Sequence, residues 1–251
     1  MILLVDIGNT RIKWARLEAR RMSAQRADTY AEWTHEQLRR RLLEPLDRPT
    51  RVLVSNVGGE RIASLLASET EALWSTVPMF VRSTAEAVGV RNGYREPSLL
   101  GVDRWLAVIG AYHLERRAVC VVSVGTAMTV DAVDASGQHL GGMIVPGPDL
   151  MMNALYRNTS DIAAHAQQGG GGSDFFADNT QAAVFQGVSC SLAATVERAV
   201  SELQARWGVA PALLITGGAT ARVSGGVRVP FRLVPDLVLR GLAEIACATE
   251  C

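Results

Sequence analysis

The sequence has little of what marks several large protein classes. Cysteine is scarce, at Cys120, Cys190, Cys247 and Cys251, and no Cys or His pair completes a zinc-binding spacing. That predicts reduced structural thiols in a cytosolic, cytoplasmic protein rather than a disulfide framework. Neither sign of charge is in excess: Lys plus Arg is 25 and Asp plus Glu is 25. A zero balance gives no support for nucleic-acid binding, which needs clustered positive charge. The short run Arg39-Arg40-Arg41 reads as a solvated helix face. No uncharged apolar run reaches the about 18 residues of a membrane span. The longest candidate, residues 118–130, is interrupted by Ser123, Gly125 and Thr126. The opening MILLVDIGN has no basic leader and its apolar run breaks at Asp6, so no signal peptide is expected. The histidines, His35, His113, His139 and His165, are too scattered for a ligand set or a triad and read as surface or packing residues. A nucleophile elbow fails as well, because Gly187-Val188-Ser189-Cys190-Ser191 lacks its second glycine.

What is present is a composition that folds. Hydrophobic residues make up 48% and charged residues 20%, ample for a packed core in 251 residues, as one large domain or two smaller ones. Residues 2–5 and 12–17 read as two strands joined by a Gly8-Asn9-Thr10 turn. Residues 34–43 form an amphipathic helix, capped by Thr34 with Gln37 three places on and ended by Pro45. Residues 51–55 are a buried strand, 60–70 a helix and 77–81 a short strand, with room for one more strand before Thr34. After a loop at residues 92–97, residues 102–114 form a helix with an apolar face on Val102, Leu106, Ile109 and Tyr112 or His113. The opening grammar then returns: strand 119–122, a Ser123-Val124-Gly125-Thr126 turn, strand 128–133 and a third strand at 141–145. Helices follow at 149–157 and 181–207, then a strand at 213–215 ending in Thr216-Gly217-Gly218. Strand, small polar turn, strand at both ends of an alternating α/β pattern predicts two similar halves. The run QQGGGGS, residues 167–173, reads as a mobile loop around Gly169 to Gly172.

Three turns at strand ends carry the chemistry. In the first, Asp6 could hold a hydrated magnesium ion, Gly8 lets backbone approach a phosphate, Asn9 and Thr10 offer donors, and Lys13 can reach the same anion. An ordinary hairpin remains the alternative. In the second, the Thr126 hydroxyl and nearby N–H groups suit a phosphate oxygen. The third, Thr216 to Thr220, leaves room for a flat ring such as adenine. Three such turns in one chain point to one extended polyphosphate ligand. Asp103, in the first turn of a helix, could accept a proton from an attacking alcohol, with Arg104 beside it as a bidentate fork for a carboxylate. A helix-end capping role for Asp103 is the alternative.

Asp6-Ile7-Gly8-Asn9-Thr10 with Lys13, Gly125-Thr126-Ala127 and Thr216-Gly217-Gly218 resemble the motifs of the actin, sugar kinase and Hsp70 ATPase superfamily. The segment from Gly93-Tyr94 through Pro97, Gly101 and Asp103-Arg104 resembles more sharply the substrate loop of type III pantothenate kinases, a family that includes Bvg accessory factors. The likeness continues through DNTQAAVFQG, residues 178–187. It implies two ribonuclease H-like domains, residues 1–115 and 116–251, with ATP in a cleft between them, and transfer of the γ-phosphoryl group to the 4′-hydroxyl of pantothenate. Asp6 to Lys13 and Thr126 would contact ATP. Asp103 would be the base. Tyr94, Gly101, Val102, Asp103, Arg104 and Thr180 would hold pantothenate, with Thr180 coming from the partner of a homodimer. Magnesium and a monovalent cation, potassium or ammonium, are the implied ions. The chain departs from the pattern where many members carry an Asp that binds the monovalent cation: here Ser123 stands, a poorer ligand for a hard cation. Either backbone carbonyls suffice, or another carboxylate substitutes, or the potassium dependence is weaker; Asp131 is a candidate for metal or structural duty. A nucleotide-binding regulator without turnover, or a kinase of another small alcohol, are the competing functions.

Overall fold

The computed structural model of the chain describes residues 1–165 and 175–249. The glycine-rich run at residues 167–173, with the loop expected there, lies outside the described residues. In chain order the first elements are β1 (Ile2–Ile7), β2 (Arg11–Glu18), β3 (Arg21–Met22), β4 (Arg26–Thr29), α1 (His35–Leu38), β5 (Arg51–Asn56), α2 (Glu60–Trp74), β6 (Met79–Phe80), β7 (Glu86–Ala87), β8 (Val90–Arg91) and α3 (Val102–Glu115). There follow β9 (Val119–Val124), β10 (Ala127–Val133), β11 (His139–Pro146), α4 (Pro148–Asn158), α5 (Ser160–His165), α6 (Thr180–Trp207), β12 (Ala212–Thr216), α7 (Ala221–Ser224), β13 (Arg232–Leu233) and α8 (Leu237–Ala248).

The chain divides into two compact units. The first comprises Met1–Ala118, Val133–Gly141 and Asp236–Cys251; the second comprises Val119–Ala132 and Gly142–Pro235. In the first, the strands run β3-β2-β1-β5-β6, with β4 beside β2. β1 is antiparallel to β2 and parallel to β5. Every residue of β1 is buried, as expected of a central strand covered on both faces. Side chains alternate along it. Leu3, Val5 and Ile7 join Trp14, Trp33 and Ile62 in one core. Leu4 and Asp6 point to the opposite face, where α8 packs on β1 and β5 and against α3. The Thr34–Gln37 capping box forms as expected, but the α-helix it opens ends at Leu38 and continues as a π-helical segment, Arg39–Leu43.

In the second unit the strands run β11-β10-β9-β12-β13, with β9, β12 and β13 parallel. Cys120, Val122, Val124 and Met128 pack there against Val188, Leu192 and Val196 of α6. With β4 set aside, both sheets share one order, third-second-first-fourth-fifth. This is the duplicated ribonuclease H-like α/β fold that the repeated hairpins predict.

The structure differs from the sequence expectation in two ways. The units do not divide by a single cut after Glu115, because residues Val133–Gly141 and α8 belong with the first unit. The amphipathic stripe expected on α3 is instead a run of eight buried residues, Arg104 to Ala111. α8, with Leu237, Leu239 and Leu242 buried, covers the face that would otherwise meet solvent. The crossing is close because of two glycines. A Cβ on Gly110 would lie 2.4 Å from the Leu237 carbonyl oxygen, and one on Gly241 would lie 2.0 Å from that of Leu106. Both obstacles are backbone atoms, so the helices themselves must part to admit a methyl group. Gly110→Ala or Gly241→Ala is therefore expected to destabilise the protein by about 1–3 kcal/mol or more, with a Tm lower by several degrees; an unchanged Tm would show that the helices do not cross this closely.

Candidate functional site

The first unit brings together most of the residues singled out in the sequence. Asp6 is 5% exposed. In the sheet register it lies opposite Lys13 on β2 and Ser55 on β5. Burial pushes the Asp6 carboxyl from its ordinary 3.8 up to about 6. The Lys13 charge opposes that rise, the Asp103 carboxylate adds to it, and the Ser55 hydroxyl favours the ionised form. Asp103 therefore acts on Asp6 through a shared field, although 97 positions separate them in the chain. Neither Asp6 Oδ1 nor Ser55 Oγ completes a hydrogen bond of good geometry. A buried carboxylate oxygen with no well-formed hydrogen bond is one that a cation or a hydrated cation would satisfy. Among the described residues no group of three or more His, Cys, Asp or Glu converges. The chemistry thus fits magnesium, which keeps several waters and needs only one or two protein carboxylates.

The turn after β1 presents Asn9 and Thr10 to solvent. The Gly8 N–H donates to the Arg11 carbonyl at 3.0 Å and closes the turn. Tyr30 fixes it from behind: its hydroxyl donates to the Gly8 carbonyl at 2.5 Å and lies 3.2 Å from that of Asn9. Gly58 packs on the same tyrosine, where a Cβ would meet the Tyr30 oxygen at 2.2 Å. Tyr30 falls in a segment that the sequence marks only as room for a strand, with no motif around it to single it out.

The predicted substrate loop leads into α3. Gly101 is the N-cap of that helix and Val102 its first residue. Asp103 Oδ1 accepts from the neighbouring Arg104 N–H at 2.9 Å within the first turn, while the N-cap position itself is Gly101 and carries no side-chain cap. A Cβ on Gly101 would lie 2.9 Å from Asp103 Oδ1, which leaves glycine as the neighbour that does not crowd the carboxylate. The Arg104 side chain is buried, and its Nη1 donates to the Tyr94 hydroxyl at 2.7 Å. The guanidinium carbon stands 5.5 Å from the centre of the Tyr94 ring. His139 stacks on that ring, centroids 6.2 Å apart and planes 14° apart.

In the second unit, three turns meet. The Gly147 N–H donates to the Thr126 carbonyl at 2.9 Å, and the Ala219 N–H donates to that of Val124 at 3.0 Å. A Cβ on Gly217, at φ +109°, would meet the Val124 oxygen at 2.1 Å; one on Gly147 would meet the Gly125 oxygen at the same distance. Gly147, before Pro148 at the start of α4, is absent from the sequence reading because its turn follows the third strand, outside the repeated hairpin. Thr126 is exposed. Ser123 is paired in register with Thr216, whose hydroxyl oxygen is buried without a partner. Asp131 is buried near Cys120, whose thiol burial pushes up to about 12, with the Asp131 charge adding; that thiol is inert. Thr180 is the first residue of α6, behind the Asn179 cap, and lines a cavity of about 680 Å³ with Met151, Leu155 and Val188.

The raised Asp6 carboxyl has a thermodynamic consequence. Between its unfolded value near 3.8 and about 6, the folded protein binds more protons than the unfolded chain, so stability falls as pH rises through that window. Above pH 6 the fold carries an ionised buried carboxylate at a cost of roughly 1–3 kcal/mol. Asp6→Asn is therefore expected to raise the Tm of the metal-free protein at pH 7.5 and to change it little at pH 4. An equal Tm difference at both pH values would show that Asp6 is not proton-linked to folding.

The type III pantothenate kinase family model matches residues 2–202. A type III pantothenate kinase from Nitrosococcus oceani is 34% identical over 255 residues, which span 100% of this chain and 95% of that protein. One from Polaromonas sp. is 38% identical over 251 residues, covering 97% and 96%. Among solved structures, a conserved Baf family protein from Campylobacter jejuni superposes with a TM-score of 0.61 at 20% identity, covering 99% and 98%. Component A of the Acidaminococcus fermentans (R)-2-hydroxyglutaryl-CoA dehydratase does so at 0.56 and 15% identity, covering 98% and 96%. The two structures share the fold, and the sequence relatives share the family: the chain belongs to the type III pantothenate kinases, which use ATP to phosphorylate pantothenate on the way to coenzyme A.

Proposed function

We propose that Asp103 is the general base of the reaction and that the turn from Asp6 to Lys13 carries the phosphates of ATP. The observation that carries this reading is the placement of Asp6 opposite Lys13 in the sheet register and of Asp103 in the first turn of α3, inside one unit, with the Asp103 charge reaching Asp6. A primary alcohol attacks phosphorus poorly until its proton has an acceptor, and a carboxylate at hydrogen-bond distance supplies one. Lys13 and the exposed Asn9 and Thr10, with Gly8 between them and the strand, offer a cation and donors to the phosphate oxygens. Asp6, through water, and Ser55 would hold magnesium, which when bound neutralises charge on the phosphates. In the second unit, Thr126 and the Gly147 and Gly217 turns offer hydroxyl and backbone groups to the rest of the nucleotide.

Pantothenate is placed by its carboxylate. Arg104 is buried and held by Tyr94, so its fork is pre-oriented. Gly101 and Val102 give the substrate access to Asp103. We place Thr180 in the pantothenate site of a partner copy in a homodimer. Support comes from the apolar cavity it lines and from Phe185, 42% exposed on the same helix. The reaction belongs in the cytoplasm, where ATP is.

Asp103→Asn keeps the shape and removes the proton acceptor. Turnover in a pantothenate-dependent ADP-release assay is expected to fall by about 10²–10⁴-fold, with ATP and pantothenate binding retained by calorimetry. Near-normal turnover would remove Asp103 from the role. The same assay without pantothenate, and with sugars in its place, separates this function from a regulator and from a kinase of another alcohol. The cation can be tested separately. Ser123→Asp would place in β9 a carboxylate opposite Thr216, as Asp6 stands opposite Ser55 in β1. We expect this variant to be activated by potassium or ammonium over sodium more strongly than the native protein; equal salt profiles would count against a cation site at Ser123.

A further inference from the structure

We infer that His139 is a positioning residue for pantothenate, fixing the place of Tyr94 through a hydrogen bond to the preceding peptide. The inference rests on the reading of Tyr94 and Arg104 as substrate contacts. His139 is fully buried, at 0% exposed, and the expectation of a surface or simple packing histidine misses what it touches. Its Nδ1 accepts from the Gly93 N–H at 3.3 Å. An N–H only donates, so Nδ1 carries the lone pair and any single ring proton sits on Nε2. The backbone of His139 presses on the same spot: a Cβ on Gly93 would come within 2.1 Å of the His139 carbonyl oxygen. Only glycine lets the loop approach so closely.

The ring then stacks on Tyr94, and Tyr94 in turn accepts from Arg104. On its other side the Tyr94 N–H donates to Asn92 Oδ1 at 3.0 Å. His139 therefore holds the loop at two consecutive residues, one by its acceptor nitrogen and one by its ring face. A loop left to move would spread Arg104 and Tyr94 over several placements, and substrate binding would have to restrict them each time. The effect belongs to pantothenate affinity, not to the phosphoryl-transfer step or to ATP.

Two substitutions separate the acceptor from the ring. His139→Phe keeps a stacking ring and removes the acceptor, while His139→Asn puts an amide oxygen near the place of Nδ1. We expect His139→Phe to raise the KM for pantothenate about tenfold, with kcat and the KM for ATP within about twofold, and His139→Asn to recover most of the loss. If Phe is not accommodated, His139→Leu, which lacks ring and acceptor, should show the same split with a larger rise. An unchanged pantothenate KM in a folded variant, or an equal loss in kcat and in both KM values, would overturn the inference. The ¹⁵N spectrum of the native protein supplies a readout independent of turnover: an unprotonated Nδ1 on His139 supports the bond, and a protonated one overturns it. Tyr94→Ala is the control for the underlying reading. If it leaves the pantothenate KM unchanged while His139 shows the lone pair on Nδ1, the substrate assignment of Tyr94 fails, and the role of His139 in binding falls with it although the bond to the loop stands.

Discussion

A carboxylate buried at the end of a strand with no free face is the constraint on which the first unit depends. β1 is covered on both sides, so the Asp6 side chain is almost wholly withdrawn from solvent. Its charge must be met by what the sheet and α3 bring to it. The sheet brings Lys13 and Ser55 by register; α3 brings Asp103, a second negative charge. On balance burial disfavours ionisation of Asp6, and a bound cation would reverse that balance. In the proposed reading, a carboxylate that would take a cation is paired with one that would accept a proton, a division of roles by environment.

Duplication explains why such a place exists at all. Asp6 is the fifth residue of the six in β1, and Ser123 is the fifth of the six in β9. Their parallel partners, Ser55 and Thr216, are both hydroxyl residues, and both hydroxyl oxygens are buried. The two repeats therefore keep the same position and the same polar neighbour while differing in charge. Carboxylate facing hydroxyl in one unit has become hydroxyl facing hydroxyl in the other. The second pair is cheaper to bury, since neutral hydroxyls are desolvated at far less cost than a carboxylate.

Much of this was legible in the sequence because it lies in local patterns. Alternation and turn residues mark β1, β2, β9 and β10, and the repeat of that hairpin predicts the duplicated sheets. The Thr34–Gln37 cap is a local signal and it formed. The π-helical continuation at Arg39–Leu43 has no such signal. α8 went unassigned although Asp236, Arg240 and Glu244 recur along it at four-residue spacing beside the buried Leu237, Leu239 and Leu242; what the sequence does not record is that this helix returns to pack on β1, β5 and α3. Tyr30 and His139 escaped for a different reason. Each acts through a partner far away in the chain, the carbonyls of Gly8 and Asn9 for one and the Gly93 N–H for the other. Neither the spacing nor the residue type records that pairing; only the folded register does.

The group of half-buried Tyr94 with buried Arg104 and His139 differs in kind from the Asp6 site. At Asp6 the fold tolerates an unmet charge; around Tyr94 it satisfies polar atoms with one another. Arg104 Nη1 meets the tyrosine hydroxyl, the Tyr94 N–H meets Asn92, and the Gly93 N–H meets His139. Asn92 is itself anchored through its amide to the Thr84 carbonyl at 3.1 Å. A ligand arriving at a satisfied network is selected by shape and by the orientation of one pre-set guanidinium, because little must be broken or ordered to admit it. A ligand arriving at an unmet charge is selected by charge. Under the proposed assignment, substrate discrimination and phosphate binding would rest on opposite electrostatic conditions in the same unit, with the sheet ends carrying the charge and the loop into α3 the network.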